Sequence, residues 1–489
     1  MSTRALELIN QNIKAHERGE NALRLDLGKC NLTFIPYEVC HCYWLEELTF
    51  SDISLSGIHE KRMRSQNHGA SNIIHVIPDF LVELKNLKSL YINGSHDNPW
   101  PIEDLTTLGF MPSLITLDVS YNRVSDLSPL NSLKKLQHLF LISNPVQNCE
   151  SLAELKSLTA LHLGYSKMTD IRPISNLPEL IDLDLYNTSI SNIDPLFDLK
   201  KLERLIMNGA NLADLTRLGQ LSKLTLLNIS SGSITNVSTL SHLTSLETLD
   251  VSSNEIEDIS PLAGLINLKK LDISYNKITD IKSLNKLENL RSLNASRNKL
   301  ENLQAMPYLP ELTELELVEN KLDHIPDMSG VRSLESLYIY DNKICDLSPL
   351  TKLKNLNILF MEDNQIVNLE PLKYLSKIFL LYLANNKIKN YGPLLSLKRL
   401  NSLNLANNHI TKIHSVKLLR RLYNINLSGN KIKNIPLRFL MQCHLEISLS
   451  YEQENSSVVL LANNPIKNIP YEILSQGRLS AIQYLNNLD

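Results

Sequence analysis

Leu268-Lys-Lys-Leu271-Asp-Ile273-Ser-Tyr-Asn276-Lys-Ile278-Thr-Asp-Ile281-Lys-Ser-Leu284-Asn-Lys-Leu287 is one copy of a pattern that recurs every 22 residues. With Leu268 as position 1, the same frame starts at Leu114, Leu136, Leu158, Leu180, Leu202, Leu224 and Leu246. It continues at Leu290, Leu312, Leu334, Leu356, Ile378, Leu400 and Leu422, which makes fifteen copies without insertion or deletion. Positions 4 and 6 are apolar and alternate with polar neighbours, the period-2 signature of a strand with one buried face. Such short strands stack side by side at about 4.8 Å. The later apolar residues, such as Ile281, Leu284 and Leu287, return the chain on the opposite side as 3₁₀ or short helical turns. One copy cannot bury its own leucines, so neighbours must stack to form a continuous core.

The spacing is that of a leucine-rich repeat, L-x-x-L-x-L-x-x-N-x-L. It predicts an α/β leucine-rich-repeat solenoid: a curved horseshoe with a parallel β-sheet on the concave face and 3₁₀ turns on the convex face. Position 9 carries Asn254, Asn276, Asn298, Asn320, Asn342, Asn364, Asn386, Asn408 and Asn430. These amides are expected to form a hydrogen-bonded ladder at the strand-to-turn bend. Four consecutive repeats break the column with Ser166, Thr188, Ala210 and Gly232, so residues 158–245 are expected to be a softer segment.

The ends depart from the regular frame, as capping units do. Residues 1–20 are expected to form a capping helix with Leu6, Leu8, Ile9 and Ile13 on its buried face. Residues 21–113 hold irregular repeats: a first strand at Leu23, Leu25 and Leu27, a second repeat from Leu45 and a third from Leu87. Polar insertions are placed at about Ser56–Asn72 and Gly94–Pro101. The fifteen regular repeats occupy 114–443. Residues 444–489 supply a last repeat, with its strand at Val459–Leu461, and a capping helix over Tyr471–Leu488 using Ile473, Leu479, Ile482, Tyr484 and Leu485. That makes nineteen repeats.

The 489-residue chain has a net charge of −3, which weighs against a nucleic-acid partner. It has no apolar run long enough for a membrane helix, so no membrane association is expected. Its start lacks an apolar signal segment, and its six cysteines follow no disulfide framework; both point to the cytoplasm. Cys40-His41-Cys42 is half of a zinc motif without a second half, so no metal is expected. There is no phosphate-binding loop, no nucleophile elbow, no H-E-x-x-H and no dinucleotide fingerprint. A non-catalytic, cofactor-free monomer with a protein partner is the expectation.

Positions 3, 5 and 7 of each strand point out of the concave face. In central repeats they are small or acidic: Thr248, Asp250, Ser252, Asp272, Ser274, Asn294 and Ser296. Repeats 14 to 16 differ and place Tyr338, Tyr340, Ile358, Phe360, Leu380 and Tyr382 there, with Glu362, Asp341 and Asp363 alongside. Exposed apolar patches rimmed by charge mark interaction sites; the competing reading is cross-strand pairing that only stabilises the sheet. A second candidate patch comprises His138, Phe140, Ile142, His162, Tyr165 and Tyr186 of repeats 5 to 7. Position 10 forms a row, Lys277, Lys299, Lys321, Lys343, Lys387, His409 and Lys431, read either as a contact for an acidic partner or as a solvated rim.

The segments "ITDIKSLNKLENL" and "ISPLAGLINL" resemble the 22-residue class of bacterial internalins and phosphatase-regulating solenoids. The start, "ALELINQNIKAHERGENALRLDLGKCNLTFIP", with "YWLEELTFSD…SQNHGASN", resembles the N-terminal part of bacterial Roco-type proteins. The segment "NNPIKNIPYEILSQGRLSAIQYLNNL" resembles the stretch that joins repeats to a GTPase domain in that family. The sequence ends where such a GTPase domain would begin, so the resemblance implies a repeat module for protein contacts rather than GTP chemistry. The expected function is a protein-interaction scaffold or sensor that binds its partner on the concave face. The alternatives are a regulatory subunit of a phosphatase or GTPase, or an exported effector or adhesin.

Overall fold

The computed structural model describes residues 2–56, 61–209, 215–413, 422–449 and 458–488. The chain forms two compact units. One comprises Met1–Ile234 and Ser238–Asn254, the other Thr235–Val237 and Glu255–Asp489. Among the described residues each unit holds ten short strands paired in parallel. The fold is therefore a leucine-rich-repeat solenoid. The boundary between the units falls within the run of fifteen regular repeats, two residues beyond Gly232, the last break in the asparagine column.

The strands pair in the register that the 22-residue frame dictates. In the second unit Leu271, Leu293, Leu315, Leu337, Leu359, Leu381, Leu403 and Ile425 lie opposite one another in succession, and all are buried. The chain then turns sharply at position 8, which has positive φ in every regular repeat from Tyr121 (55°) to Gly429 (65°), mostly without glycine. A left-handed residue costs roughly 1 kcal/mol unless its surroundings fix it. Position 9 supplies that fixation. Asn298 accepts from the Ile278 amide at 3.0 Å and donates Nδ2 to the carbonyls of Ile273 (2.9 Å), Ala295 (3.2 Å) and Ser296 (3.2 Å). The expected ladder is thus present, and it satisfies backbone groups that the bend leaves without sheet partners.

On the return side, 3₁₀ turns such as Ser128–Ser132, Ser260–Gly264 and Ser348–Lys352 start with Ser-Pro. An Asp two residues earlier accepts both the Ser amide and its hydroxyl, as Asp258 does from Ser260 at 2.8 and 2.9 Å. Within the break in the ladder, Thr188 Oγ1 donates to the Leu185 carbonyl (2.8 Å), while the buried Ser166 hydroxyl has no partner. Ala210 lies outside the described residues.

The ends correct several expectations. The first helix, Thr3–Glu17, buries Ala5, Ile9 and Asn12, while Leu6, Leu8 and Ile13 are only half-buried. Asn12 explains the shift. Its Nδ2 donates to the carbonyls of Ala22 and Arg24 (3.1 and 2.9 Å), and its Oδ1 accepts from Trp44 Nε1 (3.0 Å). The amide therefore covers the open edge of the first strand, Arg24–Asp26. Leu23, expected in that strand's core, is 42% exposed, and Ala22 takes its place.

The first insertion starts earlier than expected, in a hairpin of Ile53–Ser56 and Lys61–Arg64. It ends before Asn72, which is itself the ladder residue of the second repeat. Asn72 accepts from the Cys30 and Leu32 amides and donates to the Leu27 and Phe50 carbonyls. In the third repeat the same place is filled by buried Trp100, whose amide donates to the Tyr121 carbonyl.

The last repeat contains a strand that the nineteen-repeat count omits, Glu446–Ser448. It pairs with Val458–Leu460, whose other side pairs with Asn424–Asn426. The C-terminal helix is broken in two, Tyr471–Leu474 and Arg478–Asn486, at Gly477 (φ 98°). Leu474 and Ala481 are buried there, whereas Leu479 is 65% exposed.

Candidate functional site

Position 5 of the strand has a structural task that the frame itself did not announce. Where it is Asp or Asn, its Oδ1 accepts the amide of position 7. Asp250 accepts from Ser252 (3.0 Å), Asp272 from Ser274 (2.9 Å), Asn294 from Ser296 (3.1 Å) and Asn404 from Ala406 (3.1 Å). Asp118, Asp184, Asn228 and Asn426 do the same. This is an Asx turn closing the ends of these strands. The recurring Asp/Asn column is visible in the sequence, but its part in closing the strand end is not.

Repeats 14 to 16 abandon it. Position 5 is there Tyr338, Phe360 and Tyr382, directly opposite one another in the register. Tyr338 meets Phe360 edge to face at 5.1 Å between ring centres, and Phe360 lies flat on Tyr382 at 4.4 Å. Ile358 and Leu380 flank the rings at position 3, and Tyr340 and Glu362 at position 7; all seven side chains are half-buried. The structure thus brings the first candidate patch together. It also realises the cross-strand pairing that was the competing reading, because the rings touch each other and still reach solvent.

The electrostatics of this face are one-sided. Glu316 lies opposite Tyr338. Burial raises its carboxyl above the ordinary carboxylate range, and the neighbouring charges of Glu314 and Asp272 add to the rise. Burial pushes the Glu362 carboxyl up to about 7, and its Oε2 is buried without a hydrogen-bond partner. Asp341 is raised by burial and then by Asp363 and Glu319. The phenols of Tyr338 and Tyr340 are raised as well, by burial first and then by these glutamates. Beyond Tyr382 a hollow of about 190 Å³ is lined by Ser402, Asn404, Asn424, Asn426, Val458 and Leu460.

The second candidate patch is different. Phe140 and His162 are wholly buried, His138, Ile142 and Tyr186 are half-buried, and Tyr165 is exposed. Phe140 packs edge to face on His162 at 4.8 Å. His162 stands 3.5 Å from the buried carboxylate of Asp182, which also holds Arg204 Nε at 3.1 Å. Thr116 Oγ1 and His138 Nδ1 are 2.9 Å apart. Burial lowers the His138 pKa, and the nearby His162 lowers it further. Here Phe140 and His162 belong to an interior network, and His138, Ile142 and the Tyr165–Tyr186 pair, hydroxyls 3.1 Å apart, still reach the surface.

The position-10 row runs at the edge of the repeats. Lys277 pairs with Glu255 (3.1 Å) and Lys387 with Gln365 (3.2 Å). In the Cys40-His41-Cys42 run, Cys42 is buried and its thiol is pushed up to about 11 by burial. The His41 ring sits edge-on to Tyr37. Among the described residues no three His, Cys, Asp or Glu side chains gather as metal ligands. No described helix is long and apolar enough to cross a membrane.

The family model for paired leucine-rich repeats matches residues 112–154, 222–264, 244–286, 266–308 and 332–374. No curated protein matches the sequence. Among solved structures, a leucine-rich-repeat protein of Leptospira interrogans is 22% identical, covers 82% of this chain and 93% of its own, and has a TM-score of 0.60. The functional domain of InlJ from Listeria monocytogenes is 24% identical over 79% of this chain and 80% of its own, with a TM-score of 0.58. The Arabidopsis receptor kinase HAESA, solved with the peptide hormone IDA and the co-receptor SERK1, is 20% identical over 91% and 79%, with a TM-score of 0.59. At these identities the likeness is one of fold, and it agrees with the repeat geometry.

Proposed function

We propose that this chain, a leucine-rich-repeat protein, is a non-catalytic scaffold of the cytoplasm that holds a protein partner against Tyr338, Tyr340, Ile358, Phe360, Glu362, Leu380 and Tyr382. One observation carries the reading. In three consecutive repeats an aromatic ring stands where Asp or Asn closes the strand in eight other regular repeats, and unlike Tyr91 and Phe140 at the same position these rings are half-exposed. Each replacement forgoes a hydrogen bond with a net value of about 1 kcal/mol and leaves half-exposed rings on a sheet face. Departures from a local rule without structural gain concentrate at functional sites, and half-exposed Tyr clusters are typical binding hot spots. Peptide capture by a receptor of the same fold, HAESA with IDA, is in keeping with it. His138, Ile142, Tyr165 and Tyr186 form a secondary contact in this reading.

The test is affinity capture from native lysate with wild type and a Tyr338→Ala/Phe360→Ala/Tyr382→Ala variant, matched in circular dichroism. Partners held by wild type and lost by the variant support the site. Identical partners on both would leave the rings as sheet packing alone.

A further inference from the structure

Three features of the second unit lie in sequence along one sheet face. First come the carboxylates: Asp272, then Glu314 and Glu316 on the strand Glu314–Glu316, with Glu362 two strands further. Next is the ring stack Tyr338, Phe360 and Tyr382. Last is an amide-lined hollow around Asn404, Asn424 and Asn426.

Among the described residues no lysine or arginine forms a salt bridge to Glu314, Glu316 or Glu362. The nearby Arg297 is bound to Glu319 and lies over the Tyr275 ring at 4.5 Å. Glu314 accepts only the Ser292 hydroxyl (2.9 Å). Burial raises the Glu316 and Asp341 carboxyls, and neighbouring carboxylates add to the rise, the mark of a negative field that Arg297 offsets only at Asp341. At the far end the amide oxygens are engaged: Asn404 and Asn426 accept backbone amides, and Asn424 accepts the Ser402 hydroxyl. Among the described residues their Nδ2 donors have no partner, which suits the carbonyls of a peptide backbone. From the strand Glu314–Glu316 to the strand Asn424–Asn426 there are five strand intervals. At about 4.8 Å each they span roughly 24 Å, the length of about seven extended residues.

We infer that the partner presents an extended, basic segment of about seven residues. Its Lys or Arg side chains lie over Glu314, Glu316 and Glu362, its apolar residues on the rings, and its backbone against Asn404 and Asn426. The inference rests on the scaffold reading above and specifies the chemistry of its partner. The occupant is a peptide because the amide donors suit backbone carbonyls and the length of the face matches a short extended segment. It is basic because charge complementarity leaves no other sign, and ring faces add cation–π attraction. A nucleic acid would be repelled by the same carboxylates.

The experiment pans a random heptapeptide phage library over the immobilised full chain. Enriched peptides are then titrated as fluorescein conjugates against wild type, Glu314→Lys/Glu316→Lys and Glu314→Gln/Glu316→Gln. Enriched sequences are expected to carry two or more Lys or Arg. They should bind the Lys variant at least about 10-fold more weakly and the Gln variant by an intermediate factor, and lose affinity as salt screens the face. The Gln variant, nearly isosteric, separates loss of charge from loss of fold. Neutral or acidic peptides, equal binding to all three proteins, or no enrichment would overturn the inference. If in those cases lysate partners are still lost by the Tyr338/Phe360/Tyr382 variant, the scaffold reading survives alone. If that variant keeps its partners, both fall.

Discussion

Two stretches of the concave column, one in each unit, share one spacing and have opposite fates. In the first unit position 5 is sealed from the third repeat to the sixth: Tyr91, Asp118, Phe140 and His162 are at most 1% exposed, while Ile206, Asn228 and Asp250 further along are half-buried. In the second unit the same column, from Asp272 through Glu316 and Tyr338 to Tyr382, is half-exposed. The 22-residue frame fixes which side of the strand a residue occupies, but not what lies above that side. Over the first unit the inserted hairpin strand Ile53–Ser56 packs against Thr116–Asp118, and the Ile53 carbonyl accepts from Asn93 Nδ2 (2.8 Å). Bulky His138, Phe140 and His162 then shield one another in neighbouring strands. The second unit has no insertion between Glu255 and Gln442, and its aromatic residues stay at the surface.

The largest expected contrast is in stability. Phe140→Ala opens a cavity in sealed packing and should cost about 3–5 kcal/mol. Phe360→Ala removes a ring already half in water and should cost less than about 2 kcal/mol. Chemical denaturation of the two variants decides it; equal losses would mean that exposure does not separate the units. The ladder gives the next contrast. Asn298→Ala leaves buried backbone groups unsatisfied and should cost about 3 kcal/mol. Ser166→Ala removes a hydroxyl that has no partner and should be nearly neutral. Amide exchange would sharpen this further: protection over 158–245 as strong as over 268–440 would remove the soft segment.

The two units should also answer pH with opposite sign. The folded His138 titrates below its ordinary value, so protonation opposes folding. That contribution is intact above about 6.5 and is lost as pH falls through and below that value. The folded Glu362 carboxyl is raised to about 7, so ionisation opposes folding. Its contribution is full below the ordinary carboxylate range and is lost as pH rises through about 7, with an upper bound of about 3 kcal/mol. Shifting from pH 8 to 5.5 should therefore loosen the strands around 138 and tighten those around 362. Region-resolved amide exchange reads both, and Glu362→Gln should abolish the second response while leaving the first.

Much of the fold was legible because the repeat is a backbone requirement written in side chains. Leucines at positions 1, 4 and 6 must face inward, and Asn at position 9 must satisfy the bend. The irregular places were not legible for definite reasons. Asn72 looked like the end of an insertion because 19 residues separate it from Ile53, which occupies its nominal position. Trp100 fills an asparagine place by packing rather than by hydrogen bonding. The strand Glu446–Ser448 follows a helix, Leu437–Gln442, and no longer falls in the frame. Tyr338, Phe360 and Tyr382 were legible as outward-facing, whereas the burial of Phe140 and His162 depends on residues far away in sequence.

The smallest expected effect on stability is the most telling for the site. Phe360→Asn returns to position 5 the residue type used by Asn294 and Asn404, and with it an Oδ1 acceptor for the Glu362 amide. The recovered hydrogen bond, worth about 1 kcal/mol, offsets much of the lost ring packing, so stability should lie within about 1 kcal/mol of wild type. If the rings served only to pair strands, the partner should bind this variant normally. If they are the contact surface, capture should be lost in a protein as stable as the original, because the missing ring separates Tyr338 from Tyr382 and breaks the stack at its centre.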